Sequence, residues 1–285
     1  MSQTPPSLEG KIALVTGASR GIGRGIAQRL ARAGATVVVA ARSLNTSATP
    51  GTLAETVSLI EAAGGRAIAL RADLDDRADL DTLVANAVEA AGGLDILVNN
   101  AGKAQFTRVD AMADDALEEL VHHYFRVPVL LSRAAIPYLR ARGAGWIVNV
   151  GSVTALPPPR PFDDFARFGG HSVYASMKAA LHRFTQGLAA ELEAANIAVN
   201  LVAPSTAIST PGADAYIPSG YPTEPVEYLT ETALALCHLP ARERTGLIAY
   251  SLHFPFAHDL PVYSMDGSRR LPPPTIPAWA HPDSK

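Results

Sequence analysis

Short apolar runs rich in β-branched residues alternate with longer segments of helical periodicity through the first two-thirds of the chain. The short runs are continuously apolar rather than alternating, which predicts strands buried on both faces. Strands are predicted at residues 12–16, 36–40, 67–70, 96–99, 146–150 and 198–202. Helices are predicted at residues 22–33, 52–63, 76–91, 114–141 and 172–195. This alternation indicates an α/β fold in which a parallel sheet is covered by helices on both faces.

The chain shows neither an internal repeat nor a linker, so a single domain over residues 11–267 is predicted. Residues 1–10 are predicted to be a flexible N-terminus, and residues 268–285 a proline-rich C-terminal tail. A proline-rich insertion at residues 157–171 separates a strand from a helix. Because ligands of such sheets lie beyond the carboxyl ends of the strands, we expect this insertion to face the substrate. For the tail, a role at the site and a surface excursion without one both stay open.

Composition and charge exclude several classes of protein. The 285 residues are 48% hydrophobic and 18% charged, which is typical of a globular protein with a sizeable core. The net charge of −3 gives no general attraction to nucleic acid or anionic membranes, so neither is an expected partner. The apolar stretches are far shorter than the ~20 residues of a membrane span, and residues 1–10 lack the apolar core of a secretion signal.

The only cysteine is Cys237, which excludes an internal disulfide and offers no cluster of metal ligands. No metal is therefore predicted, and Cys237 is interpreted as a buried apolar side chain on a helix. A cytoplasmic, reducing compartment fits this cysteine usage.

A glycine-rich turn follows the first predicted strand, where residues 16–23 read Thr-Gly-Ala-Ser-Arg-Gly-Ile-Gly. A strand that breaks into such a turn and then a helix presents free N–H groups and a positive dipole end to an anion. Gly17 permits the sharp turn, Gly21 lets a phosphate approach, and Gly23 lets the helix pack on the strand. The spacing is GxxxGxG rather than GxGxxG, so by itself the turn is also compatible with a plain loop.

Tyr174 and Lys178 open a predicted helix one turn apart, so they project from the same face. A tyrosine with its ordinary pKa of ~10 is a poor base at neutral pH, and bringing it near 7 takes roughly 4 kcal/mol. An adjacent ammonium in a partly buried site supplies energy of that order. The pair is thus a plausible acid/base device, although alone it is also an ordinary helix-surface pair.

The sequence resembles the short-chain dehydrogenase/reductase family from about residue 8 to about residue 211, and more thinly to residues 266–267. The resemblance rests on residues 16–23, Asp73-Leu74, Asn99-Asn100-Ala101-Gly102, Ser152 and residues 174–178, in that order. It implies a Rossmann-like, doubly wound fold that binds NAD(H) or NADP(H). It also implies hydride exchange between this cofactor and an alcohol or carbonyl.

The resemblance assigns a role to each of these residues. Tyr174 would be the general acid/base, Lys178 would lower its pKa and hold the nicotinamide ribose, and Ser152 would hydrogen-bond the substrate oxygen. Asp73 would meet the adenine edge, and Asn100 would lie against the cofactor. Two alternatives stay open: Ser152 as a cap of the following turn, and Asp73 as a cap of the helix predicted to begin near residue 76.

The cofactor is predicted to be NADP(H) in preference to NAD(H). An acid at the end of the second strand would bind the ribose 2′-hydroxyl and repel a 2′-phosphate. That position is Ala41, followed by Arg42 and Ser43, while Arg20 lies in the glycine turn. Two guanidinium groups and a hydroxyl suit a phosphate dianion. The alternative is that both arginines are solvated surface charges.

The predicted cofactor-binding residues are Gly17, Ser19, Arg20, Gly21, Ile22, Gly23, Arg42, Ser43, Asp73, Leu74, Asn100, Ala101, Gly102, Tyr174, Lys178, Pro204, Ala207 and Ser209.

The chain departs from the family pattern at the usual catalytic asparagine, where Tyr124 stands. In the family this residue's backbone carbonyl holds the water of a proton path to the lysine, so the path is compatible with the substitution. His122 and His123 lie beside it and are either a relay or packed helix histidines.

Two further departures concern the substrate side. Tyr174 follows Ser152 by 22 residues, a wide separation caused by the insertion. The insertion carries three aromatic rings, Phe162, Phe165 and Phe168, which either line a substrate pocket or anchor the loop on the core.

After the sixth strand, Pro204-Ser205 replaces the expected Pro-Gly. Ala207 would approach the nicotinamide amide, and Ser209 or Thr210 the cofactor phosphates. Residues 205–223 are predicted to form a substrate flap.

The sequence therefore predicts an NADP(H)-dependent oxidoreductase that interconverts a secondary alcohol and a ketone. An epimerase or dehydratase on the same scaffold, and a non-catalytic NADP-sensing protein, are the alternatives. The resemblance also implies a homodimer or homotetramer formed through the helices at 114–141 and 172–195. Residues 246–267 resemble the family's final strand with an interruption at 252–261.

Overall fold

A computed structural model describes residues 6–46, 50–103, 105–217 and 219–284. Residues 1–5 of the predicted N-terminus, residue 218 of the flap and residue 285 of the tail lie outside this part. The strands are β1 Ile12–Thr16, β2 Thr36–Ala41, β3 Arg66–Arg71, β4 Ile96–Asn99, β5 Gly145–Val150, β6 Ile197–Ala203 and β7 Ile248–Tyr250. The helices are α1 Gly21–Arg32, α2 Leu53–Ala62, α3 Arg77–Ala91, α4 Asp114–Val121, α5 Val127–Ala141, α6 Asp164–Phe168, α7 Ser172–Leu192, α8 Val226–Ala235 and α9 His253–Ala257.

Within the described residues, the strands form one seven-stranded sheet in the order β3-β2-β1-β4-β5-β6-β7. Every neighbouring pair is parallel. One buried cluster packs α1 and α8 on one face, and a second packs α3, α5 and α7 on the other. The predicted single-domain, doubly wound fold is confirmed. The winding direction reverses between β1 and β4, and a crevice opens where their carboxyl ends diverge.

Capping side chains set the start of two helices. Thr52 accepts a hydrogen bond from the Glu55 amide at the start of α2. Asp76 accepts from the amides of Ala78 and Asp79 and so caps α3. The alternative that Asp73 caps this helix is therefore wrong.

The predicted helix 114–141 is continuous but not uniform. A π-helical turn, His122–Arg126, joins α4 to α5, and it leaves Tyr124 buried with 6% of its surface exposed. Such turns are uncommon and often mark functional sites.

The C-terminal third contains more structure than the sequence pattern predicts. The predicted final strand is β7, which pairs with β6, and α9 occupies part of the interruption. Helix α8 packs on α1 and was not among the predicted helices. Cys237 is fully buried, as predicted, but it follows α8 rather than lying on a helix. In the described chain, helices fall short of the length and apolar character that crossing a bilayer demands.

Candidate active site

The predicted site residues converge on one edge of the sheet because they follow the carboxyl ends of parallel strands. The glycine turn follows β1, Arg42 and Ser43 follow β2, and Asp73 and Leu74 follow β3. Asn100, Ala101 and Gly102 follow β4, Ser152 follows β5, and Pro204, Ala207 and Ser209 follow β6. Tyr174 and Lys178 reach the same edge from the first turns of α7.

The glycine turn is pressed against the end of β4. Gly17 and Gly21 have φ angles of 66° and 56°, in the region that favours glycine. A Cβ atom on Gly17 would lie 2.8 Å from the Ala101 Cα. Asn100 donates from Nδ2 to the carbonyl of Thr16 at 2.8 Å. The turn and the β4 end therefore form one rigid cradle.

The start of α1 suits an anion. No acidic side chain occupies its first turn, and among the described residues no side chain caps its first amides. The Arg20 Nη1 atom is buried without a hydrogen-bond partner in the described part of the chain. Free helix amides and an unpartnered guanidinium nitrogen fit a phosphate group.

The predicted 2′-phosphate position has a competing ion pair. Arg42 is 59% exposed and lies 3.5 Å from a carboxylate oxygen of Asp75. Asp73, the predicted adenine contact, accepts a hydrogen bond from the Asp75 amide at 3.2 Å. Solvent screening makes the ion pair between Arg42 and Asp75 weak. The guanidinium can therefore turn toward a phosphate dianion, which carries more negative charge than the Asp75 carboxylate.

The histidines beside Tyr124 face this end of the site rather than Lys178. His123 Nε2 lies 3.0 Å from an Asp75 carboxylate oxygen, and His122 Nε2 lies 2.8 Å from the Leu74 carbonyl oxygen. Burial lowers the pKa of His123, with Asp75 opposing the shift. Within the described residues, Asp75, His122 and His123 bring potential ligand atoms within 4.8 Å of one another and could hold a metal ion.

The structure brings the three predicted catalytic side chains together. Lys178 is 6% exposed, and its Nζ donates to the Val150 carbonyl at 2.7 Å. Ser152 lies close enough to the Tyr174 phenol to lower its pKa, and the Ser152 hydroxyl lies 2.8 Å from the Thr154 hydroxyl oxygen. Ser152 also accepts from the Thr154 amide at 3.2 Å, so it caps the following turn and contacts the phenol at once.

The direction of the Tyr174 shift differs from the sequence-based expectation. Burial raises the pKa of Tyr174 to about 12, although the hydrogen bond from Ser152 opposes the shift. Burial also lowers the pKa of Lys178 to about 7. Low-dielectric surroundings disfavour the charged form of both groups, and the ammonium bonds the Val150 carbonyl instead of the phenol oxygen.

Tyr124 contacts both Lys178 and Tyr174 through its ring. The Lys178 ammonium lies over its ring, 4.5 Å from the centroid, and its ring packs edge-on against Tyr174 at 5.0 Å. A Cβ atom on Gly102 would lie 2.6 Å from the Tyr124 ring. Tyr124 thus holds the lysine by a cation–π contact and fills the space over Gly102.

Ser209 and Thr210, the two candidates for the contact to the cofactor phosphates, have different surroundings in the structure. Thr210 lies against Gly21, whose Cβ would be 3.3 Å from the threonine Cβ. The Ser209 hydroxyl instead donates to Asp214 at 2.8 Å.

Phe162, Phe165 and Phe168 of the insertion are 38%, 45% and 66% exposed, so they do not anchor the insertion in the core.

Sequence reasoning missed a buried polar cluster behind the flap. Glu224 accepts hydrogen bonds from Ser251 and from the hydroxyl of Thr206. Ser205, at the usual glycine position, lies 3.0 Å from His253 Nδ1. Burial raises the pKa of Glu224 to about 7. These residues come from three separate segments, at 205–206, 224 and 251–253, and their spacing in the chain carries no signal.

The C-terminal tail returns to the same region. Trp279 packs against Tyr221 of the flap at 5.3 Å, and His281 Nε2 lies 2.7 Å from the Pro157 carbonyl of the insertion. Ser284 is buried beside His253. The tail therefore connects the flap to the insertion.

The lowered pKa of Lys178 predicts a dependence of stability on pH. Between about 7 and 10.5 the unfolded chain keeps the Lys178 proton that the folded protein releases, so the free energy of unfolding rises with pH. We expect a rise of about 1 kcal/mol per pH unit from this group. Urea unfolding of the cofactor-free protein at pH 7, 8 and 9 measures it.

Two variants isolate that contribution. Lys178→Met removes the titrating group and should reduce the rise of the free energy of unfolding with pH. Lys103→Met, at a lysine whose side chain is 64% exposed, should leave that rise unchanged. Equal slopes in wild type and Lys178→Met would contradict the assignment.

A doubly wound sheet with an anion-binding glycine turn and a Ser–Tyr–Lys group at one edge defines a class of dinucleotide-dependent oxidoreductases. The family model described as short chain dehydrogenase matches residues 11–216. The chain belongs to this family.

Similar proteins agree with that membership. The hydroxynaphthalene reductase-like protein Arp2 of Metarhizium guizhouense is 35% identical over 241 residues, 83% of this chain and 84% of that protein. A short chain dehydrogenase of Burkholderia cenocepacia in complex with NADP superposes with a TM-score of 0.71 at 35% identity, covering 85% of this chain and 96% of the other. The 3-oxoacyl (acyl-carrier-protein) reductase of Agrobacterium tumefaciens with NADP bound gives 0.71 at 29% identity, covering 86% and 93%.

Proposed function

We propose that the protein is an NADP(H)-dependent oxidoreductase that interconverts a ketone and a secondary alcohol. The observation that carries the proposal is the meeting of Ser152, Tyr174 and Lys178 beside the glycine cradle of β1 and α1. The Tyr174 pKa of about 12 keeps the phenol protonated at neutral pH, which suits a proton donor. Reduction of a carbonyl requires such a donor.

In the reductive direction, bound NADPH supplies the hydride. Ser152 hydrogen-bonds the carbonyl oxygen, and Tyr174 donates its proton to that oxygen as negative charge develops there. Lys178, held by the Val150 carbonyl and the Tyr124 ring, binds the nicotinamide ribose and stabilises the resulting phenolate when it is protonated.

The residues at the other end of the cradle favour a phosphorylated cofactor. Arg20 offers a buried nitrogen that has no hydrogen-bond partner among the described residues, and Arg42 lies directly after β2 without an acid before it. The NADP found in the Burkholderia and Agrobacterium relatives supports the same choice. In this proposal Arg42 exchanges Asp75 for the 2′-phosphate.

The test follows NADPH and NADH consumption by absorbance with a panel of aliphatic, aromatic and polycyclic ketones. We expect NADPH consumption that depends on ketone, and a preference for NADPH over NADH. Arg42→Ala should weaken NADPH binding about 10- to 100-fold, the value of charge-assisted hydrogen bonds, and leave NADH unchanged. Arg77→Ala, at an exposed arginine paired with Asp81 on α3, is the matched control.

Two results would count against the proposal. NADPH that binds tightly without net consumption, while a hydroxylated substrate is epimerised or dehydrated, would favour an enzyme that retains its cofactor. Equal losses for NADPH and NADH in Arg42→Ala would refute the role given to Arg42.

A further inference from the structure

Aromatic rings extend in unbroken contact from the Tyr174 phenol to the protein surface. Phe106 packs edge-on against Tyr174 with ring centroids 5.2 Å apart, and against Tyr216 at 5.0 Å. It also meets His171 at 6.4 Å, and His171 stacks on Phe165 at 4.2 Å. We call these five residues the ring series.

The members of the ring series come from separate loops that follow separate strands. Phe106 lies after β4, Phe165 and His171 lie in the insertion after β5, and Tyr216 lies in the flap after β6. Parallel strands end at one edge of the sheet, so these loops converge over the catalytic residues. Each of the three substrate-side loops therefore contributes a ring.

The ring series is not ordinary core. Phe165 is 45% exposed and Tyr216 is 38% exposed, while Phe106 is partly buried between them and Tyr174. Apolar rings grouped in solvent beside a catalytic group mark a ligand site. Burial lowers the pKa of His171, which favours its uncharged form.

The angles between the rings suit a flat ligand. Phe106 lies at 72° to Tyr174, 60° to Tyr216 and 73° to His171. Edge-to-face pairs leave ring faces and edges directed to neighbouring space, where a flat aromatic ligand makes further offset or edge-to-face contacts. A saturated ring of similar volume buries comparable area but lacks these contacts.

We propose that the ring series is the substrate-binding site for a planar, polycyclic aromatic ketone, with Phe106 as the residue that selects the aromatic ring. This assignment rests on the function proposed above and gives its substrate class. The carbonyl faces Tyr174 and Ser152, and the fused aromatic ring lies against Phe106. The aromatic contact is expected to contribute roughly tenfold to specificity.

The test compares two ketones with the same two-ring skeleton, 2-tetralone and trans-2-decalone. The tetralone carbonyl is not conjugated to its aromatic ring, so the comparison reports on ring recognition rather than on carbonyl reactivity. We expect kcat/KM with NADPH to favour 2-tetralone by tenfold or more. Phe106→Leu should lower kcat/KM for 2-tetralone about tenfold and leave that for trans-2-decalone within twofold.

Phe256→Leu is the control, because Phe256 is a 62%-exposed ring on α9 outside the ring series. NADPH affinity and thermal unfolding should match wild type in both variants. Equal kcat/KM for the two ketones in wild type, or equal losses for both in Phe106→Leu, would overturn the proposal.

A binding measurement separates this inference from the function on which it rests. If wild type reduces neither of these two ketones but does reduce another ketone of the panel, the substrate class proposed here is refuted while the proposed function stands. If wild type reduces no ketone of the panel, the proposed function fails, and the ring series is then judged by the Kd of 2-naphthol in a fluorescence titration. Binding that weakens about tenfold in Phe106→Leu but not in Phe256→Leu supports the site. An unchanged Kd in Phe106→Leu refutes it.

Discussion

Tyr174→Phe is expected to lower kcat for ketone reduction about 10³-fold while leaving the Kd of NADPH within about twofold. The change removes one hydroxyl and keeps the ring that packs against Phe106 and Tyr124. The lost group is the proposed proton donor, and general acid catalysis typically contributes 10²- to 10⁴-fold. The loss should therefore fall on kcat, measured by NADPH absorbance at saturating ketone.

Tyr124→Phe is the matched comparison, because Tyr124 and Tyr174 lie 5.0 Å apart and both carry a phenol. Its ring stays under the Lys178 ammonium, so the cation–π contact survives and we expect a loss below tenfold. A large loss in Tyr124→Phe with an active Tyr174→Phe would transfer the proton-donor role to Tyr124.

Gly23→Ala is expected to weaken NADPH binding roughly 100-fold. A Cβ atom on Gly23 would lie inside contact distance of the Asn100 Nδ2 and of the Gly17 carbonyl. Both belong to the rigid cradle, since Asn100 also donates to the Thr16 carbonyl. Relief of the clash shifts the turn and the β4 end together. Losing one or two hydrogen bonds to a charged phosphate is worth that factor.

Isothermal titration with NADPH and urea unfolding measure the effect, and the variant should also lose about 1–3 kcal/mol of stability from overpacking. Gly187→Ala on α7 is the control. Its Cβ would meet only the end of the flexible Arg183 side chain, at 3.3 Å. Wild-type affinity in Gly23→Ala would show that the turn does not hold the cofactor as proposed.

Patterns within short stretches of the sequence predicted those features of the protein that depend only on neighbouring residues. Continuous apolar runs located the six predicted strands at or within one residue of their observed bounds. The one-turn spacing of Tyr174 and Lys178 put them on one helix face. The order of the strands was decided by the tertiary structure, because the sequence does not state which strands become neighbours.

What depended on burial or on contact between distant loops was decided by the tertiary structure. Asp76 rather than Asp73 caps α3, because Asp76 directly precedes the first helical residue and its side chain accepts from the Ala78 and Asp79 amides. The pKa of Tyr174 rises because Phe106, Tyr124 and their neighbours exclude water, and the spacing to Lys178 contains no record of that.

The sequence by itself determined an α/β sheet, a glycine turn for an anion and the Tyr174–Lys178 pair, since each arises from periodicity or spacing within a few residues. Ser152 lies 22 residues before Tyr174 and was added to the pair by the family resemblance. The tertiary structure alone brought Phe106, His171 and Tyr216 to one site and turned Tyr124 under Lys178. The physical reason is that such contacts join segments far apart in the chain, and their free energy appears only after the sheet has ordered the loops at its edge.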